Sequence, residues 1–210
     1  MQFTTWAPDP SHSFEVSQMN FLDWPVEQAI LSERAQKRRR AIAVWLIERF
    51  ASTYSAVEYD LFWESSIINA QAWRLGSRRR VTVYGGVVRH PAITASGIAL
   101  LLAHETGHHL GGPPFDPDLR WTSWQGQADF WAASTGMPQV FGRQAARLTF
   151  RGAKQIAALH AEFSETDGVA DISAEERSEI FLLGARGKCT PAFLQKSFNR
   201  MLEERDRPDE

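Results

Sequence analysis

The stretch Ala103-His104-Glu105-Thr106-Gly107-His108-His109-Leu110-Gly111-Gly112 constrains this chain more than any other. The run before it, Ser96 to Ala103, is apolar and helix-forming, with Ser96 placed as a cap. Gly111-Gly112-Pro113-Pro114 stops the helix one turn after His108. Helical residues four apart lie about 40° apart around the axis. His104 and His108 therefore face the same way, and two imidazoles so spaced can hold one zinc ion. Glu105 sits where it can take a proton from a zinc-bound water. His109 is rotated about 100° from His108 and should not reach the same metal. The competing reading is two helix-face histidines with an incidental glutamate. The independent helix and stop signals on either side weigh against it.

The flanking segments supply the context. Ser66 to Trp73 reads as a strand, Leu75 to Arg78 as a turn, and Arg79 to Tyr84 as a second strand, which together make a hairpin. Gly85-Gly86 then breaks the second strand, a place where a backbone such as a substrate's can approach closely. The proline-rich stretch from Gly111 to Arg120 is a loop. A second helix begins near Trp121, capped by Thr122 or Ser123, and ends at Gly136-Met137-Pro138. It carries Gln125 and Asp129 on one face. Further helices are expected from about Val26 to Ser52, Phe141 to Phe163, Ala174 to Leu183 and Ala192 to Glu204, with Tyr54 to Glu64 as a connector. Residues 1–24 form an aromatic-rich arm, 25–204 one domain, and 205–210 a charged tail.

Composition excludes several classes. The net charge of −2 gives no global field towards nucleic acid. The clusters Lys37–Arg40 and Arg78–Arg80 read as a solvated helix face and a hairpin turn. The one cysteine, Cys189, rules out an intrachain disulfide and reads as a bland residue rather than a catalytic thiol. No apolar run is long enough to span a bilayer. The N-terminus lacks the features of a signal peptide. The default expectation is thus a cytoplasmic protein, or a periplasmic or secreted one if the chain is a processed form.

Four pieces in order carry a family resemblance: Asn69-Ala70-Gln71-Ala72, Val81-Thr82-Val83-Tyr84-Gly85-Gly86, Leu102 to His108, and Ala128-Asp129. Together they resemble gluzincin metallopeptidases of the HtpX and CAAX-prenyl-endopeptidase type. The wider pattern around His108-His109 and Gly126-Gln127-Ala128-Asp129 is similar to a group of uncharacterised bacterial zincin-like proteins. The resemblance spans residues 66 to 133 and does not extend to the membrane-spanning helices of some members. It implies that His104 and His108 are zinc ligands and Glu105 the base. It also implies that the Asn-Ala strand lies over the cleft and that a glutamate on the following helix is the third ligand, with the aspartate behind a histidine. At the glutamate's place this chain has Gln125. Three arrangements remain open. Gln125 ligates through its amide oxygen, Asp129 takes over as ligand, or the metal site is degraded and the protein is an inactive, zincin-like binding protein.

The resulting expectation is an α+β fold, mostly helical and zincin-like, with a small sheet above the active-site helix. The expected activity is zinc-dependent hydrolysis of peptide bonds in a peptide or protein substrate. Glu105 is the catalytic base, His104, His108 and Gln125 are metal ligands, and Asp129 is a supporting or alternative ligand. Asn69, Ala70 and Ala72 lie on an exposed strand edge that binds substrate by strand addition. A transition-state donor is sought among His160, Arg143, Arg151 and Arg177, although no motif marks any of them. His90, before Pro91, reads as structural.

Overall fold

The computed structural model describes residues 16–18, 31–163, 172–188 and 191–205. Cys189, most of the N-terminal arm and the expected helix start at Val26 lie outside the described residues. The fold is α+β, mostly helical, with one mixed sheet.

Helix α1 (Glu33–Thr53) begins at Ser32, whose Oγ accepts the Ala35 amide at 3.3 Å and so satisfies one free donor of the first turn. Its inward stripe of Ala43, Leu46, Ile47 and Phe50 repeats at helical spacing and enters the core. Strand β2 (Val57–Phe62) follows, where only a connector was expected. Its sequence, Val-Glu-Tyr-Asp-Leu-Phe, alternates apolar and polar through Asp60, the period of a half-buried strand. Next comes the expected hairpin of β3 (Ala70–Leu75) and β4 (Arg78–Tyr84), turning through Gly76-Ser77 with Gly76 at φ 60°. A two-residue hairpin loop needs such a left-handed residue, and glycine takes it without strain. Strand β2 pairs with β4 in parallel, from Val57 opposite Arg79 to Phe62 opposite Tyr84.

The far edge of β3 is not open. Strand β1 (Val16–Gln18) pairs with it antiparallel, placing Ser17 opposite Ala72, so the sheet order is β1-β3-β4-β2. The exposed edge expected near Asn69–Trp73 is therefore filled by the chain itself. Gly85-Gly86 ends β4 as expected. It opens a short helix, α2 (Gly85–Arg89), and the backbone pressed against it is the chain's own. A Cβ on Gly85 would fall 1.9 Å from the Trp63 carbonyl oxygen, and one on Gly86 would fall 2.1 Å from that of Ile67. No substrate is needed to explain these glycines.

Helix α3 (Ala95–Leu110) packs against α1, α4 (Gln125–Trp131), α6 (Ala145–Phe163) and strands β3 and β4. Every residue from Ser96 to His109 is buried, which matches a run apolar nearly all round. Ser96 is not its cap. Thr94 takes that place, and Gln155 of α6 reaches across to accept the amides of Thr94 and Gly97 at 2.9 and 3.0 Å. Arg39 of α1 fixes the preceding loop by donating to the carbonyls of Val88, His90 and Ile93. His90 contributes to this corner, with Nε2 3.4 Å from the Glu162 carboxylate.

The second helix does not end at Gly136-Met137-Pro138. It continues through a π turn at Ala132–Gly136 into α5 (Met137–Phe141), where Pro138 sits in the first turn. Gly142, at φ 52°, then separates α5 from α6, so the helix expected from Phe141 starts at Ala145 instead. Helix α7 (Ala174–Ala185) is capped by Ser173, and α8 (Pro191–Arg205) closes the described chain. A second apolar cluster of Trp124, Ile172, Ile180, Leu194 and Met201 joins α4, α7 and α8. No helix among the described residues is long and apolar enough to cross a membrane.

Candidate metal centre

The two histidines meet as their spacing requires. Their rings lie 4.6 Å apart, centroid to centroid, and nearly perpendicular. Ligand atoms of His104, Glu105 and His108 all fall within 4.8 Å of one another, and the three residues are fully buried. This cluster can hold a metal ion.

Each ring is held from behind. His104 Nδ1 lies 2.6 Å from Asp129 Oδ1. His108 Nδ1 lies 2.8 Å from the Ser123 carbonyl oxygen and 3.0 Å from Thr122 Oγ1. A carbonyl can only accept, so the His108 proton is on Nδ1, and Asp129 favours the same tautomer in His104. That leaves each Nε2 with a lone pair. Neither Nε2, nor either carboxylate oxygen of Glu105, makes a hydrogen bond to protein. Buried polar atoms without a partner cost about 1–3 kcal/mol each. Here four of them converge in one place, and their donor set of two imidazoles and a carboxylate suits a divalent cation.

Thr122 and Ser123 were expected to cap α4. They serve the site instead, Thr122 at the His108 ring and Ser123 through its carbonyl there and its hydroxyl to Gly112 O at 2.8 Å. Close approach of α3 and α4 makes this possible. A Cβ on Gly107 would sit 2.8 Å from the Ala128 carbonyl oxygen and 3.1 Å from its Cα. Only glycine allows the two helices to come so near.

Asp129 stands behind His104, in the place expected of a supporting residue. Arg177 of α7 grips it with two bonds, Nε to Oδ2 at 2.8 Å and Nη2 to Oδ1 at 2.9 Å. Arg177 Nη1 also lies 3.3 Å from His160 Nε2. Both Asp129 oxygens are thus committed away from the Nε2 pair. Gln125, at the start of α4, lies against His104 and favours its protonated form. The structure therefore brings Gln125 and Asp129 to the same histidine in different roles. Of the four suggested transition-state donors, Arg177 is buried at 5% exposure and faces Asp129. Sequence reasoning placed it on the surface, because nothing local marks a residue whose partner lies 48 positions away.

Burial governs the electrostatics. It pushes the Glu105 carboxyl well above its usual value, with the Arg177 charge opposing. Burial also lowers both histidines, against the pull of Asp129 on His104 and of the Ser123 carbonyl on His108. Burial would raise Asp129, but the Arg177 and His104 charges win and hold it at about 2. His160, desolvated and beside Arg177, falls to about 3.

The remaining residues divide plainly. His109 is outside the cluster. Its Nε2 lies 2.9 Å from the Arg80 carbonyl oxygen, and its ring stacks on Trp121. Asn69, Ala70 and Ala72 are buried to 1% exposure or less. Asn69 Oδ1 accepts the Ala70 amide at 2.8 Å. The Ala72 amide faces Glu105 and favours its ionised form, though not at a distance and angle that satisfy either oxygen. Tyr59, unmarked in the sequence, ties β2 to α3 through Thr106 Oγ1 at 2.9 Å.

Compared with protein-family models, curated proteins and solved structures, the chain matches none.

Proposed function

We propose that this protein is a zinc-dependent peptidase in which Glu105 is the general base. One observation carries the reading. Both imidazoles are fixed from behind at Nδ1, so two Nε2 lone pairs and the Glu105 carboxylate face one buried point. A zinc ion held by His104 and His108, with Gln125 beside His104, supplies Lewis acidity and lowers the pKa of water.

The protein's own groups do the rest. Asp129 keeps the His104 proton on Nδ1 and makes that ring a better donor. Arg177 holds Asp129 ionised and in register. Glu105, whose carboxyl is raised by burial, takes the proton of the attacking water as C–O bond formation begins at the scissile carbonyl. It returns that proton to the amine nitrogen as the C–N bond breaks. Water exclusion strengthens each of these interactions.

A second reading, a zincin-like binding protein without catalysis, draws support from Gln125, a neutral amide where a carboxylate would bind the metal more strongly. Loading the protein with zinc and assaying cleavage of an unstructured polypeptide separates the two. In the peptidase reading Glu105→Gln keeps the zinc and loses more than about a hundredfold in rate, the lower range for a lost general base. A fully loaded wild type that cleaves nothing supports the binding reading.

A further inference from the structure

The site is closed as well as assembled, with His104 and Glu105 at 0% exposure. Strand β3 packs directly on α3, the helix that carries Glu105, so it is the element along which an extended polypeptide would reach that carboxylate. One edge of β3 is filled by β4 over six residue pairs, Ala70–Leu75. The other is filled by β1, with Ser17 opposite Ala72. Paired strands run about 4.8 Å apart, so one edge accepts one strand. Any segment that adds to β3 must occupy the place β1 holds.

We infer that β1 is a removable internal occupant of the substrate position, so that the chain folds into a latent state and opens when β1 leaves β3. The inference rests on the peptidase reading and gives it a substrate class: an extended segment of polypeptide aligned antiparallel to β3 and centred opposite Ala72.

The pairing lengths make β1 the strand that yields. It joins β3 through three residue pairs, Val16 with Trp73, Ser17 with Ala72 and Gln18 with Gln71, against six in each of the other two ladders. Short edge pairings open locally at low cost while the sheet beneath stays intact. Loss of β1 restores a free row of β3 backbone donors and acceptors, which is the requirement for strand addition.

The test uses the full-length, zinc-loaded chain in two variants. Replacing Val16, Ser17 and Gln18 together by proline removes every β1 donor and disfavours the strand. Gln18→Cys with Gln71→Cys, in a Cys189→Ser background, places two thiols on directly opposed residues, and opposed residues of an antiparallel pair lie about 4.5–5.5 Å apart at Cα, within the range of a disulfide. Two readouts are taken: the rate at which EDTA extracts zinc, and the rate of cleavage of an unstructured polypeptide. The proline variant should release zinc at least about tenfold faster and cleave faster, the size expected when a local opening of about 1.4 kcal/mol is removed. The oxidised cysteine variant should release zinc slowly and cleave nothing, and reduction should return both rates to the wild-type level. If the oxidised variant matches its reduced form in both rates, the inference is overturned. If the proline variant unfolds, the reversible cysteine pair decides alone. If β1 release exposes the zinc but no form cleaves, the latch stands and the peptidase reading fails.

Discussion

Arg177 is the residue whose removal the structure prices most clearly. Its guanidinium makes two parallel bonds to Asp129, and Asp129 is fully buried. In Arg177→Met, a side chain of similar length keeps the packing but leaves a carboxylate at 0% exposure with only His104 to face. Removing one partner of a buried pair costs about 3–5 kcal/mol. His104 then loses a fixed acceptor, and disruption behind a liganding histidine weakens metal binding by about ten- to a hundredfold. Arg177→Lys should rescue only part of either effect, because an ammonium cannot reproduce the two-pronged contact. Adding Asp129→Asn to Arg177→Met removes the stranded charge. The double variant should regain stability relative to Arg177→Met, yet its zinc affinity should stay low, since a neutral amide is a weaker acceptor for the His104 proton. Denaturant unfolding of the metal-free chain reads the first quantity and competition with a chromogenic chelator the second. A loss below about 1 kcal/mol in Arg177→Met, the range of exposed pairs, with zinc affinity unchanged, would refute the reasoning.

Gln125→Glu should tighten zinc binding and raise any cleavage rate, because it adds a negative charge beside His104, as chelator competition and peptide turnover will register. Gly107→Ala should push α3 from α4 and misplace His108 relative to Ser123, so it should cost about 1–3 kcal/mol in unfolding experiments and lower zinc affinity together. His160 is neutral in the folded state, with its pKa lowered from 6.5 to about 3. Unfolded chains bind its proton more readily in that interval, so His160 costs stability progressively as pH falls from about 6.5 to about 3. His160→Gln should flatten that acid limb in pH-dependent denaturation, and an unchanged slope would contradict the assignment.

What the sequence made legible was periodic or local. The four-residue spacing of His104 and His108 needs only a helix to become a shared site, and α3 is a helix by its apolar run and its Gly-Pro stop. The hairpin was readable because Gly76-Ser77 separates two strand-like runs. Strand β2 was overlooked although Val57 to Asp60 alternate, because its run is short and follows directly on α1. The cap assignment at α4 failed for a tertiary reason. Thr122 and Ser123 are local cap formers, but tertiary partners, the His108 ring and the Gly112 carbonyl, took their hydroxyls. Arg177 and β1 depend wholly on contacts between distant segments, which no spacing within a segment encodes. Ala70 and Ala72 also pack inward, so bulky replacements there would overfill the core.

X-ray absorption at the zinc edge of the purified, zinc-loaded chain reads the ligand set of the proposed site. One zinc per chain is expected, with two imidazole nitrogens at about 2.0–2.1 Å and oxygen donors completing the set, and that signature should be lost in His104→Ala and His108→Ala. A chain that retains no zinc, or one whose zinc spectrum is unchanged by both substitutions, would contradict that expectation.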